Sequence, residues 1–499
     1  MRQNKDGEQK LFKRSGHFSL LWLCFATALY GQSFSDFQKL PEKSTSQEKK
    51  AFSAFQSTHQ SAYKSYQSEQ DAAFVKYLKK QWDEYKAFEP KTLFSSPKPQ
   101  TSPQTQTDSF VKLGPKIYIE VKEEEKTEFV PQEEKEKKEK SFSLMFYGQK
   151  LSFFLPSTLD EAKYEPMDQE GIFHFFNAIA SVDLEALLVE IKTVHKDLKL
   201  NDWGLHLLVS KIAQHLYHDP NEAKLCQWYL FNKLGYDLRV GIVYKEPVLL
   251  YPTMQKIYAK SYIQLENKEY YIFSDIDKKS LNALYTYEHN YPNAKKSFDL
   301  ALEELPSLAK TIQTKTIEFK YFAQTYKVEY QYNQNLIDLL ATYPQVEYAV
   351  FFNAPFDPLT YDSLVKDLQK IVDAKHASEV LNILLRFVQT GFEYQRDSQH
   401  FGAQKVMFAQ ETLAYSSSDC DDRAVLFASL VRKLLGLSVA GVLYEEHMAT
   451  ALEIPLQGDK VILGSKEYII ADPTYINANV GMSMPKYKNR KPKGFIELR

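Results

Sequence analysis

Three cysteines and 17 glycines in 499 residues leave little room for the commonest metal and cofactor sites. No two cysteines are spaced as a zinc pair and no His-x-x-x-His occurs, so no metal centre is expected. A glycine-rich phosphate loop and an acidic calcium loop are both missing, and no cofactor is expected either. Charge of one sign is also absent: Lys+Arg of 62 against Asp+Glu of 64 gives a formal net charge of −2. So balanced a chain is not built to hold a nucleic-acid polyanion. Beyond Tyr30 no apolar run is long enough to cross a bilayer.

What the chain has is 44% hydrophobic and 25% charged residues, the balance of a globular protein, with 33 Tyr and 33 Phe to anchor packed β structure. Its length implies two or three domains. The N-terminus reads as an export signal. Arg2, Lys5, Lys10, Lys13 and Arg14 form a positive region, and Phe18 to Tyr30 is apolar apart from Ser19 and Thr27. That run is shorter than the ~20 residues of a span, and Ala26, Ala28 and Gly31 supply small residues for cleavage near Gly31. An uncleaved N-terminal anchor is the alternative. Leu23 ahead of Cys24 argues against a lipoprotein cysteine. Cleavage predicts a periplasmic or secreted protein with no integral span. It leaves Cys226 and Cys420, which either form a disulfide or serve separately.

An α+β chain of several segments is expected. Residues 1–31 are the signal and 32–90 a helical segment, because aromatic residues from Phe52 to Tyr85 recur at three- and four-residue steps up to Phe88. This helix packs as a spacer or recognises a partner. Residues 91–140 read as a low-complexity linker, Pro- and Ser-rich and then alternately acidic and basic, with a short strand at Ile117 to Val121. Residues 141–290 open with a hairpin around Gly148-Gln149-Lys150, followed by a helix from Trp203 to His218. Residues 291–375 form a mixed scaffold: a period-two hairpin through Thr316–Tyr321 and Tyr326–Tyr332, a strand at Tyr348–Phe352 and a helix from Tyr361 to Ile371. Another helix, Ala377 to Val388, opens the last segment, 376–499. A weak internal repeat links the halves, since Lys233-Leu234 through Tyr244 aligns with Lys433-Leu434 through Tyr444 at a shift of 200. In that register Cys420 falls opposite Pro220 and His447 opposite Pro247.

Chemistry concentrates in the second copy. Asp419-Cys420-Asp421-Asp422 opens an apolar helix whose Leu426, Leu430 and Leu434 repeat every four residues. A cysteine in the first turn meets unpaired N–H groups and the positive end of the helix dipole, which favour a thiolate. Asp421 and Asp422 oppose it, so a nearby imidazolium has to supply much of the effect. His447 heads a strand and Asp472 ends the next, before Pro473. A thiol, an imidazole and a carboxylate in this order fit a nucleophile, a base and an orienter. Tyr415 and the Cys420 N–H are candidate oxyanion donors.

Asp419-Cys420-Asp421-Asp422, His447 leading a strand, Tyr468 and Asp472-Pro473-Thr474 resemble the transglutaminase-like superfamily of papain-fold cysteine enzymes, in particular its exported bacterial members. The likeness covers about residues 376–485. It implies a papain-like C-terminal domain, a degenerate copy of it within 141–290, and Cys420, His447 and Asp472 as catalytic residues. The chain departs from the family pattern in having Ser416 to Asp419 ahead of the cysteine, Ala449 after the histidine, and an extra Gln457–Lys466 excursion. The expected function is hydrolysis of peptide or amide bonds in a cell-envelope peptide or protein. Alternatives are a transamidating crosslinker and a non-catalytic envelope scaffold.

Overall fold

A computed structural model describes residues 69–78, 83–85, 87–91, 141–155, 159–274 and 284–498. The chain divides into a unit ending at Gln70 and one from Asp71 to Arg499, and the architecture below is that of the second. The expected export signal, the start of the helical segment and the linker strand lie outside the described residues.

In the first half, β1 (Asp83–Tyr85) and the hairpin β2–β3 (Ser141–Phe146, Gln149–Phe154) precede α1 (Gln169–Ala180), α2 (Glu185–Asp197), α3 (Asp202–Leu216) and α4 (Pro220–Lys233). Strands β4 (Arg239–Val243), β5 (Glu246–Pro252), β6 (Tyr262–Leu265), β7 (Lys268–Ile272) and β8 (Leu284–Thr286) join β1 in a sheet of order β1-β8-β4-β5-β7-β6. A long hairpin, β9–β10 (Ile312–Tyr321, Gln324–Asn333), follows. Then come α5 (Gln334–Ala341), α6 (Tyr348–Asn353), α7 (Pro358–Val372), α8 (Ala377–Thr390), β11 (Glu393–Tyr394), α9 (Asp397–His400), α10 (Ala409–Ala414), β12 (Ser417–Ser418) and α11 (Cys420–Leu435). Strands β13 (Val439–Leu443), β14 (Met448–Leu452), β15 (Lys460–Leu463), β16 (Lys466–Ala471) and β17 (Gly494–Glu497) close the chain in a sheet of order β15-β16-β14-β13-β17. The protein is thus mixed α+β with antiparallel main sheets. Among the described residues no single helix is long and apolar enough to cross a membrane.

The two sheets share a plan. The order β6-β7-β5-β4-β8 repeats as β15-β16-β14-β13-β17, with α4 and α11 each leading in and packing on the central hairpin. Asp219 caps α4 as Asp419 caps α11, and Pro220 and Cys420 are the first helical residues. Through the strands, however, the 200-residue register fails by one. Gly241 presents its missing side chain to Leu284 and Val248, on the face away from α4, whereas Gly441 faces Ile496 and Phe352 in the main core. A one-residue slip exchanges the faces of a strand, so the glycines are not equivalent. The shared feature is the two-residue turn, flanked by Val243↔Glu246 in one half and Tyr444 with His447 in the other. Counted from it, His447 answers to Glu246, not Pro247. With Leu250↔Ile272 matching Ala451↔Ile470, Asp472 answers to Ser274.

Other expectations also shift. The helical reading up to Phe88 breaks at β1, which pairs with β8, and Phe88 bridges Tyr262; sheet pairing overrides a helical spacing there. Tyr348 to Phe352 is helix α6, not a strand. Its Tyr348, Val350, Phe351 and Phe352 are all buried, and a short run apolar on every side carries no period to separate the two. The hairpin at Gly148 turns on two residues, Tyr147 and Gly148, both with positive φ (43° and 79°), instead of three. Within the Gln457–Lys466 excursion lies an edge strand, β15.

One half-buried polar group in the first half sets a pH response. Burial holds the His206 imidazole down to about 4, from an ordinary 6.5. Gln227 Nε2 lies 3.1 Å from its Nδ1, and Trp203 stacks on the ring at 4.7 Å. The unfolded chain takes up this proton near pH 6.5 and the native one only near 4. Stability is therefore complete above about pH 6.5 and falls as the pH drops, by about 3 kcal/mol in all at pH 4. Urea midpoints at neutral and mildly acid pH check this: His206→Gln is expected to lose less on acidification than the parent chain.

Candidate active site

Helix α11 is positioned from its first turn. The Asp419 N–H donates to Asp422 Oδ2 at 3.0 Å, and Asp422 Oδ1 accepts from Met407 N at 2.9 Å, so Asp422 serves the helix start and the strand of chain before α10. The C-terminal end stops at Gly436, which takes the left-handed conformation (φ 63°) that a side chain resists. Cys420 and Cys226 are both buried and neither is disulfide-bonded, so the disulfide alternative falls away.

His447 and Asp472 come together as the hairpin register requires. In the β14–β16 ladder Thr450 pairs with Ala471, which places Asp472 beside Ala449 and on the same face as His447. His447 Nε2 donates to Asp472 Oδ2 at 2.8 Å. The other carboxylate oxygen accepts from Thr474 N at 3.0 Å and Tyr475 N at 3.2 Å. Three donors thus fix one carboxylate, and the imidazole proton on that side is held at Nε2. Nδ1 is buried and makes no hydrogen bond with any described residue. The structure therefore joins His447 to Asp472 but does not hydrogen-bond Cys420 to His447.

Tyr487 packs against the imidazole. Its ring stacks on His447 at 4.9 Å, and Tyr444 completes the stack at 4.9 Å from Tyr487. Burial raises the Tyr487 phenol, with charge at Cys420 among the smaller contributions, so the thiol lies within electrostatic reach of a ring that touches the imidazole.

A single helix end frames both sides of the site. Gln389, in the last turn of α8, donates from Nε2 to Asp472 O at 2.9 Å and Ala478 O at 3.1 Å. Its own carbonyl accepts from Arg423 Nη1 at 3.2 Å, one turn into α11. Arg423 also donates to Phe392 O at 2.7 Å and Ser418 Oγ at 3.1 Å. Burial brings this guanidinium down to about 10, with Asp419 and Asp422 among the groups opposing that fall. The acidic neighbours are dense: Asp419, Cys420 and Asp421 bring ligand atoms within 4.8 Å of one another, as do Asp397, Asp419 and Asp422. Several of these oxygens are committed to backbone, Asp397 Oδ2 to Lys405 N and both Asp422 oxygens as above.

Tyr415, the candidate oxyanion donor, follows α10. Its ring meets His400 and Phe401 edge-on at 5.7 and 5.6 Å, with Lys405 over it at 5.4 Å. Lys315 from β9 binds the carbonyls of Leu413, Ala414 and Tyr415 at 2.9, 3.2 and 2.7 Å and fixes this corner. Burial brings Lys315 down to about 8.

No protein-family model, curated protein or solved structure matches the chain. The site therefore rests on its own geometry. Reading the sequence picked out the thiol, the imidazole and the carboxylate. It missed Gln389, Arg423 and Tyr487, since a glutamine or arginine on an apolar helix and a tyrosine in a lysine-rich tail carry no spacing signal.

Proposed function

We propose that the chain is an exported, cysteine-dependent acyl-transfer enzyme that hydrolyses peptide or amide bonds through Cys420, His447 and Asp472. The observation that carries this reading is the state of the imidazole: Nε2 is committed to a fixed carboxylate and Nδ1 is left as the proton acceptor. In the reaction Nδ1 takes the Cys420 proton and the thiolate adds to the amide carbonyl. The C–N bond then breaks as His447 returns the proton to the departing amine, leaving a thioester. Water, deprotonated by the same nitrogen, adds to the thioester; the acid leaves and the thiol is restored. An amine in place of water gives transamidation. By compartment the substrates are envelope peptides or proteins.

A second reading, a binding or scaffold module, is favoured by the full burial of Cys420 and His447. Turnover requires the covering residues to move aside; binding elsewhere on the chain does not. Incubation with p-nitrophenyl acetate and peptide mapping by mass spectrometry tells them apart. The enzyme reading expects an acetyl group on Cys420 that hydrolyses with time and is lost in His447→Ala. No acetylation of the folded protein leaves the scaffold.

A further inference from the structure

A cavity of about 460 Å³ opens in the first half where the second half has its site. Its wall includes His206 and Ser210 from α3, Pro220 and Gln227 from α4, Tyr251 from β5 and Ser274 beyond β7. Pro220 begins α4 as Cys420 begins α11, and Ser274 holds the ladder position of Asp472. The first half has thus kept a cleft at this place and replaced the thiol by proline and the carboxylate by serine. Nothing at those two positions can form a thioester. The volume falls within the ~300–1,000 Å³ of ordinary ligand sites.

The polar wall is wired from one side chain. Gln227 Nε2 lies 3.1 Å from His206 Nδ1 and donates to the Tyr251 hydroxyl oxygen at 3.1 Å. An amide nitrogen cannot accept, so the His206 nitrogen facing it does, and the ring proton sits on Nε2. Burial raises the Tyr251 phenol and keeps it protonated. Three groups then stay unspent among the described residues: the His206 Nε2–H, the Tyr251 O–H and the Gln227 carbonyl. Two donors and one acceptor on a shared patch match a peptide unit, whose carbonyl takes two hydrogen bonds and whose N–H gives one. Among the described residues no carboxylate lines the cavity, whereas Lys224 and His218 do, which disfavours a cation and suits a neutral or acidic ligand. Leu249 and Phe273 supply apolar wall for a side chain.

We propose that this cavity binds a neutral or acidic peptide segment, without cleaving it, through one backbone amide held by His206, Gln227 and Tyr251 and an apolar side chain lodged on Leu249 and Phe273. A hydrocarbon of similar size would leave the three polar groups dry and unpaired, so the amide sets the specificity. The site is separate from Cys420 and stands whether or not that thiol reacts.

Ligand-observed NMR on the intact protein tests it, with N-acetyl-phenylalanine amide, N-acetyl-phenylalanine and phenylalanine amide as probes. The two acylated probes are expected to bind saturably, and the cationic amine at least about tenfold more weakly. Gln227→Leu should weaken the acylated probes by about tenfold or more. Filling the cavity by Ala223→Phe should abolish binding, and Cys420→Ala should leave it unchanged. Should Ala223→Phe fail to fold, Ser210→Trp fills the space from the opposite helix. Absence of saturable binding up to millimolar probe overturns the proposal. So does binding that survives the filled cavity, or an amine that binds as well as the acylated probes.

Discussion

Asp472→Asn is expected to leave a folded protein whose acyl-transfer rate is about 10³–10⁴-fold lower. The reason lies in where the substituted amide must put its atoms. Oδ1 accepts from two backbone N–H groups, Thr474 and Tyr475, and an asparagine oxygen can keep both bonds. The asparagine nitrogen then faces His447 Nε2, which has to become an acceptor. The ring proton moves to Nδ1, the nitrogen meant to receive the thiol proton, and the base is lost while the fold is kept. Two-bond ¹H–¹⁵N correlation of the histidine rings reads the tautomer directly: Nε2–H in the parent chain, Nδ1–H in the variant. Asp472→Ala makes the opposite trade, leaving three buried donors unpaired at about 1–3 kcal/mol each before relaxation. A rate for Asp472→Asn within tenfold of the parent would show that the carboxylate does not orient a base.

The second large effect belongs to a residue with no part in the chemistry. Arg423→Met is expected to destabilise the protein by about 3–5 kcal/mol, because it removes a buried cation among buried carboxylates. Methionine nearly matches the volume of arginine although its chain is shorter, so the loss is not mainly one of packing. What goes is the charge beside Asp419 and Asp422 and the bonds to Ser418, Gln389 and Phe392 that hold α11 to the end of α8. Since Gln389 also holds the Asp472 loop, the same substitution should loosen both sides of the site together. Urea unfolding gives the size, and hydrogen exchange at the first turn of α11 and at Thr474 gives the place. A change below about 1 kcal/mol would contradict a buried cation on which this corner depends.

Where the sequence was readable, a strong period was at work. The β9–β10 hairpin, α7, α8 and the three central strands of the last sheet lie within a few residues of expectation, because apolar residues repeat at two or at three and four. Asp419, Cys420, His447 and Asp472 were legible because helix-start and strand-end positions announce themselves through caps and Pro473. Failures have equally physical causes. Tyr348–Phe352 is apolar at every position, so it has no readable period. Asp83–Tyr85 takes its structure from β8, some two hundred residues away in the chain. The repeat was seen, but its register was read along the run from Lys233 to Tyr244, within which Gly241 and Gly441 point to opposite faces; the turn was the true landmark. Long-range hydrogen bonds such as those of Gln389 to Asp472 and Asn477 leave no local trace at all.

The central claim is that His447 activates Cys420, and the pH dependence of iodoacetamide alkylation, mapped by peptide, tests it with an internal control. Cys226 is buried in α4, and burial pushes its thiol up, so it should react only as the chain unfolds. The account predicts that Cys420 alkylates well below the ~8.5 of a free thiol, much faster than Cys226, and that His447→Ala removes the difference. Cys420 that labels no faster than Cys226 at every pH, or equally fast with and without His447, would contradict it.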